Sequence, residues 1–184
     1  MRKFILFFLL LFSIYPVLKG QDFPSPPPGK AQVIFARPTI TAFVVRFRLF
    51  DSSRYLGLIG AGGYLSYDFS PGKHIFWGQA KNRDFLEADL LPDKVYLITV
   101  EPMMGGLQAR IKLLPFDPEY KKAEKVKQNF IKIMSRGKQQ KADSQENIEQ
   151  QAQLDQAIDK GLRRYQKLKS KHRSITQLTQ DMHL

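Results

Sequence analysis

Between residues 31 and 116, hydrophobic positions alternate with polar ones in short runs. The clearest run covers 40–50, where Arg46 and Arg48 lie on one face. The opposite face carries Thr41, Phe43, Val45, Phe47 and Leu49. A period of two is typical of a strand with one buried face. We therefore predict that 40–50 forms a half-buried antiparallel strand.

Further β-branched or aromatic runs, bounded by Gly, Pro, Asp or Ser, occur throughout this segment. They lie at 31–37, 54–59, 64–69, 74–80, 84–90, 94–101 and 107–114. The glycine-rich stretch 57–63 is interpreted as a turn between strands, because no Walker lysine and no helix follow it. Seven or eight short strands at near-regular spacing predict an all-β antiparallel sandwich over 31–116.

After residue 116 the hydrophobic period changes to three and four, which predicts helices. The first helix is predicted at about 118–136, with Asp117 as its N-cap and Gly137 ending it. Its apolar positions are Tyr120, Ala123, Val126, Phe130 and Met134. The chain as a whole is therefore predicted to be α+β, with the helical region at 117–184.

A second helix is predicted at about 144–180, preceded by a capping box from Asp143 to Glu146. Its seam is Leu154, Ile158, Gly161 with Leu162, Tyr165, Leu168, His172, Ile175 and Met182. This spacing favours a helical hairpin or a coiled-coil arm. Two amphipathic helices that pack on the sandwich are the equally weighted alternative.

The N-terminus has the pattern of a secretory signal peptide at 1–20. Two basic residues precede an apolar run at 4–18, which is shorter than a membrane-spanning helix needs. Cleavage is expected after Gly20, which leaves no transmembrane span, and an uncleaved anchor in the inner membrane is the alternative. The proline-rich stretch 21–30 is predicted to be an extended linker.

The chain of 184 residues contains no cysteine. This excludes disulfides, thiolate zinc sites, iron–sulfur clusters and cysteine nucleophiles. Secreted eukaryotic domains of this size usually carry disulfides, so the composition favours export to a bacterial periplasm or outer envelope.

The formal net charge of +12 predicts different partners if the protein is exported. The segment 1–20 carries three basic residues and no acid, so the mature chain keeps 12 − 3 = +9. Nucleic acid is then not an expected partner, whereas an anionic envelope polymer, lipid or glycan is. Simple solubility is the alternative explanation. Part of the basic excess lies on the second helix, at Arg163, Arg164, Lys167, Lys169, Lys171 and Arg173.

The sequence indicates no catalytic residue, metal site or cofactor. His74, His172 and His183 lack metal-ligand spacing, and there is no GxSxG turn. Glu87 and Asp89 alternate on one strand face, as glycosidase acids can, but most such residues face water. A face around Tyr64, Tyr67 and Trp77 is a candidate for glycan stacking, with Trp77 as a core residue as the alternative.

Three motifs carry a resemblance that covers about residues 30–116. They are a first strand that ends in Arg37-Pro38, the hairpin from Tyr64-Leu-Ser-Tyr67 to Pro71-Gly-Lys-His74, and the strand Lys94-Val-Tyr96-Leu-Ile98. These motifs resemble a family of bacterial envelope domains of unknown function, PEGA-like and often found on lipoproteins. The family pattern differs at Asp93, where Gly is usual, and at Leu97, where a second aromatic is usual. The resemblance implies an immunoglobulin-like sandwich without known catalytic residues.

Two functional hypotheses follow from the sequence. The first is a non-enzymatic exported envelope protein, in which the C-terminal helices mediate self-association or bind a partner protein. The alternative is a binder of an anionic envelope polymer, lipid or glycan, which uses the basic arm or the aromatic sheet face.

Overall fold

The computed structural model of the protein describes residues 23–105, 108–136, 139–140 and 148–184. The predicted signal peptide, the helix-ending Gly137 and the capping box at 143–146 lie outside the described residues.

The described chain forms two β-sheets and two helices. The strands are β1 Ala31–Ala36, β2 Phe47–Asp51, β3 Arg54–Ile59, β4 Tyr64–Phe69, β5 Gly72–Gln79, β6 Arg83–Leu90, β7 Val95–Gly105, β8 Gln108–Pro115 and β9 Thr176–Leu178. The helices are α1 Ala123–Arg136 and α2 Ile148–Ser170. Sheet 1 has the order β4-β1-β7-β8 and sheet 2 the order β3-β2-β5-β6-β9. The predicted α+β class with a sandwich and C-terminal helices is confirmed.

Most strand pairs are antiparallel, and two pairs, β1–β7 and β6–β9, are parallel. The core lies between the two sheets, because alternate residues of each strand point inward. Its largest fully buried members include Phe35, Phe47, Leu49, Phe76 and Tyr96.

The outer face of sheet 1 is covered by α1. Phe130 and Ile133 of this helix pack with Ile34 of β1 and Leu97 of β7. Leu97 faces α1 while its neighbours Tyr96 and Ile98 face the core between the sheets, as strand alternation requires.

The outer face of sheet 2 is covered by α2. Leu154 and Ala157 pack there against Phe50, Trp77 and Phe85. Each helix thus buries its apolar side on a different sheet. Of the two arrangements that the sequence left open, packing on the sandwich is the one formed, and the coiled-coil seam is used for this contact.

The prediction that the second helix reaches residue 180 is wrong, since α2 ends at Ser170. His172 adopts a left-handed conformation with φ of 48°. The Arg173 N–H donates to the Leu168 carbonyl and the His172 N–H donates to the Lys169 carbonyl, at 3.0 Å each. These two bonds define a Schellman ending, in which His172 occupies the position that glycine usually takes. The chain then forms β9 along the edge of sheet 2.

The prediction of one strand over 40–50 is also wrong, because only 47–51 is extended. Residues 41–44 form a turn, in which Ala42 has φ of 54°. The buried Arg37 side chain donates hydrogen bonds to the carbonyls of Thr41, Ala42 and Val45. Those carbonyls therefore bond to a side chain instead of a neighbouring strand.

The first helix begins later than predicted, at Ala123 instead of about residue 118. Asp117 does cap a backbone donor, since its Oδ1 accepts the Glu119 N–H at 2.8 Å. The residues that it caps form turns that precede α1.

Candidate functional site

A row of exposed basic side chains runs along the C-terminal half of α2 and the turn that follows it. We call it the basic ridge, and its members are Lys160, Arg163, Arg164, Lys167, Lys171 and Arg173. Lys160, Arg164 and Lys167 are spaced by four and three residues, which places them on one side of α2, and Lys171 follows in the turn. From 160 to 173 the sequence contains no acidic residue.

The ridge faces solvent because the other side of α2 is held against the sandwich. A Cβ added at Gly161 would lie 2.5 Å from Cη2 of Trp77, so the helix backbone rests directly on the indole. The indole stacks on Phe50, and its N–H donates to the Ser52 carbonyl at 2.9 Å. This close approach fixes the rotation of α2 and therefore the direction of the basic side chains.

A polar cluster around Glu87 holds the end of α2. The Tyr165 hydroxyl donates to Glu87 Oε1 at 2.6 Å, and the Lys169 ammonium lies 2.9 Å from the same oxygen. The Gln177 amide of β9 donates to Glu87 Oε2 at 2.9 Å. These contacts, with the Tyr165 hydrogen bond as the main cause, lower the pKa of Glu87 to about 2. Burial and the adjacent carboxylate raise the pKa of Tyr165 to about 12.

The Glu87 cluster predicts a loss of stability in acid. Its carboxyl has a folded pKa of about 2 against an ordinary value of 4.5, so the charged form stabilises the fold above pH 4.5. This contribution is lost as the pH falls from 4.5 towards 2. Urea denaturation across this range should show a steeper decline in the free energy of unfolding for the wild type than for Glu87→Gln. Equal slopes for the two proteins would contradict the described cluster.

The same contacts give Glu87 and its neighbour Asp89 structural roles. Both Glu87 oxygens accept hydrogen bonds, and Asp89 Oδ2 accepts one from the Gln180 amide at 3.1 Å. Both carboxylates thus link β6 to the chain that follows α2. Among the described residues, no group of three or more His, Asp or Glu side chains is arranged to hold a metal ion.

His74 connects two strands of sheet 2. Its Nδ1 lies 3.1 Å from Asp51 Oδ2, and its Nε2 lies 2.8 Å from the Ser70 carbonyl oxygen. The hydrogen bond with Asp51 is the main cause of a raised His74 pKa. The carboxylate and the carbonyl together suit an imidazolium that donates from both nitrogens.

The predicted aromatic face is not formed, because its three members point in different directions. Tyr64 packs on the α1 side of sheet 1, whereas Tyr67 packs on the core between the sheets and donates its hydroxyl to the Leu56 carbonyl. Trp77 is fully buried beneath α2. Tyr64 and Tyr67 are three residues apart on one strand, so alternation places them on opposite faces.

The basic residues named from the sequence divide into two groups. Lys169 is paired with Glu87, whereas Arg163, Arg164, Lys167, Lys171 and Arg173 belong to the ridge. The sequence reasoning missed Lys160, which is four residues before Arg164 and completes the row. Within the described part of the chain, the only ion pair of the ridge joins Arg163 to Asp159 at 3.5 Å, and both side chains are more than 70% exposed. The attraction between two such exposed side chains is weak, so the ion pair cancels little of the positive charge of the ridge.

Comparison with protein-family models finds no match, and comparison with curated proteins finds none either. The resemblance to PEGA-like envelope domains therefore stays a prediction. Neither described helix has the length and apolar character that a membrane-crossing helix needs.

Proposed function

We propose that this protein is a non-enzymatic binding module of the bacterial envelope and that its basic ridge binds an anionic polymer or glycan. The observation that carries the proposal is the ridge itself. Four exposed cations project from α2, whose opposite side packs on the sandwich, two more follow in the turn after it, and no acidic residue interrupts 160–173.

The shape of the ridge supports a linear partner. Within α2 the ridge runs from Lys160 to Lys167, seven positions that correspond to about 10 Å along the helix axis, and the turn extends it to Arg173. An extended polyanion can place several charged groups beside the ridge at once, and each contact adds attraction over this distance. Long-range attraction of this kind is screened by salt, so binding should weaken steeply as ionic strength rises.

The packing of the helices bears on the other hypothesis, which is assembly through a coiled coil. Four residues of the predicted seam, Leu154, Ile158, Tyr165 and Leu168, pack in the cluster of Phe50, Trp77 and Phe85. Partner binding through the exposed basic side of α2 requires no rearrangement of the core. We therefore favour electrostatic recognition over helix–helix assembly.

The proposed location in the envelope rests on the expected signal peptide and on the absence of cysteine from the sequence. Every described strand and helix lies within 23–184, so a chain that begins at Gln21 contains the whole described fold.

The test uses residues 21–184 and fluorescent dextran sulfate, with uncharged dextran as the control ligand. The ridge variant Lys160→Gln, Arg164→Gln, Lys167→Gln, Lys171→Gln should weaken binding of dextran sulfate at least about tenfold. The matched control removes four exposed lysines at or near α1, by Lys121→Gln, Lys122→Gln, Lys125→Gln, Lys132→Gln. Both variants lose the same net charge, so the control separates a local site from total charge.

Equal losses in the two variants would overturn the proposal, because binding would then follow net charge alone. Binding that does not change with salt concentration, or equal binding of uncharged dextran, would overturn it as well.

A further inference from the structure

The loop between β1 and β2 holds three large apolar side chains out in solvent. We call residues 38–46 the apolar loop. Ile40, Phe43 and Val44 are 77%, 75% and 76% exposed, which makes them the most exposed large hydrophobic residues of the described chain. Single exposed apolar residues are common on protein surfaces, but three within five residues of one loop form a local patch.

The turn is built around a buried cation. The Arg37 guanidinium is fully buried and donates to the carbonyls of Thr41 and Ala42 at 2.7 and 2.9 Å. It also donates to the Val45 carbonyl and lies 4.6 Å from the centre of the Phe47 ring. Thr39 Oγ1 donates to the Glu101 carboxylate at 3.0 Å, which attaches the start of the loop to β7. Two side chains at the start of the loop, Arg37 and Thr39, thus hold its backbone, and the Arg37 guanidinium reaches as far as the Val45 carbonyl.

This conformation is unfavourable in two respects. Burial removes water from the Arg37 guanidinium, which lowers its pKa, and Ala42 adopts a left-handed φ of 54° that a residue with a side chain rarely takes. The surrounding contacts maintain a strained turn whose outer side chains stay in water. Strain and exposed apolar surface at one site together indicate a binding role.

Three exposed cations and the Glu101 carboxylate lie on the residues that flank the loop or pair beside it. Arg46 is exposed at its end, and Lys112 on β8 lies directly opposite Glu101, to which the loop is attached. Arg110 lies opposite Met103, an apolar residue that is 46% exposed. The sequence from 38 to 50 contains no acidic residue. Among the described residues, Arg46, Arg110 and Lys112 make no ion pair.

We propose that the apolar loop inserts into the surface of a lipid bilayer that contains anionic lipids. Ile40, Phe43 and Val44 would enter the acyl boundary, while Arg46 and Lys112 contact lipid phosphates. A bilayer fits better than a folded partner because the three apolar side chains are about three-quarters exposed and exposed cations lie beside them in the chain and on β8. At a bilayer surface the anionic headgroups lie outside the apolar acyl chains. Apolar side chains that reach the acyl chains would therefore leave neighbouring cations at the level of the headgroups.

This surface is separate from the basic ridge. The apolar loop is followed by Phe47, the first residue of β2. The next residue, Arg48, pairs with Gln79, the last residue of β5, so the loop lies at that end of sheet 2. The ridge ends beside the second half of β6, where Lys169 contacts Glu87. The two surfaces can therefore be changed independently, and failure of one proposal does not decide the other.

The test is sedimentation of residues 21–184 with vesicles of phosphatidylcholine alone or mixed with phosphatidylglycerol. The loop variant Ile40→Ser, Phe43→Ser, Val44→Ser should lower the partition coefficient for mixed vesicles at least about tenfold. Its fold should be unchanged, because all three side chains are already in water. The ridge variant defined above is the control and should keep more of the wild-type partitioning than the loop variant does.

A second measurement reports insertion itself. Phe43→Trp should add a fluorescence component that shifts to shorter wavelength with mixed vesicles and is quenched by brominated acyl chains. The proposal is overturned if the loop variant partitions like the wild type, or if the added fluorescence does not change with vesicles. It is also overturned if the wild type is a dimer in solution that the loop variant converts to a monomer, because the occupant is then a second copy of the chain.

Discussion

Replacing Arg37 with methionine should lower the free energy of unfolding by about 3 kcal/mol. The guanidinium is fully buried, and three backbone carbonyls accept hydrogen bonds from it. Methionine fills much of the volume but donates no hydrogen bond, so the turn at 41–44 loses the contacts that hold its strained backbone. Arg37→Lys should also destabilise the protein, because an ammonium cannot reproduce the forked geometry of the guanidinium.

Urea denaturation and amide hydrogen exchange together test this prediction. In Arg37→Met, exchange should become faster for the Val45 amide, whose N–H donates to the Ala42 carbonyl in the turn. Arg110→Met provides the control, since Arg110 is exposed on β8 and its loss should change stability little. Unchanged stability with unchanged exchange at Val45 would contradict the role assigned to Arg37.

Replacing Gly161 with alanine should lower the free energy of unfolding by about 2 kcal/mol. The same replacement inside an exposed helix stabilises it by about 1 kcal/mol, so the predicted effect has the opposite sign. The new Cβ would lie 2.5 and 2.7 Å from two atoms of the Trp77 ring. That ring cannot move aside easily, because it stacks on Phe50 with centroids 3.9 Å apart and its N–H is bonded to Ser52.

A double-mutant cycle separates this contact from helix propensity. Trp77→Phe removes part of the indole, so Gly161→Ala should be less destabilising in that background than in the wild type. Gln153→Ala, on the exposed side of α2, is a control that tests the helix without the contact. If Gly161→Ala stabilises the protein, α2 is not seated on Trp77.

The strand pattern of the sandwich was predictable because strand alternation is a local property. β6, for example, was expected at 84–90 and is found at Arg83–Leu90. The error at 40–50 has a nonlocal cause. Its alternation fits a strand, but the Arg37 side chain satisfies the carbonyls of the turn, and the sequence pattern contains no sign of that contact.

The end of α2 shows a second limit of sequence reasoning. The helical spacing continues past Ser170, but His172 takes a left-handed conformation and the chain returns to pair with β6. No glycine marks this ending, and the pairing partner is more than eighty residues earlier in the chain. Only the β-branched pair Ile175-Thr176 hints at a strand there.

The sequence predicted the positive charge of the candidate site better than it predicted which side chains lie together. Five residues of the ridge were named from the sequence, since a run of basic residues without acids is visible directly. The prediction of an aromatic face was wrong because grouping Tyr64, Tyr67 and Trp77 required knowledge of which face of its sheet each side chain lies on. Trp77 and Gly161 form a contact across 84 positions of the chain, and neither residue alone indicates it.

The central claim, that the basic ridge is a binding surface, is tested most directly by amide hydrogen exchange of residues 21–184 with dextran sulfate. We predict slower exchange within 160–173 on addition of dextran sulfate, no change with uncharged dextran, and no comparable change in α1. Slower exchange confined to α1, or spread evenly over the basic residues of the whole chain, would contradict the claim.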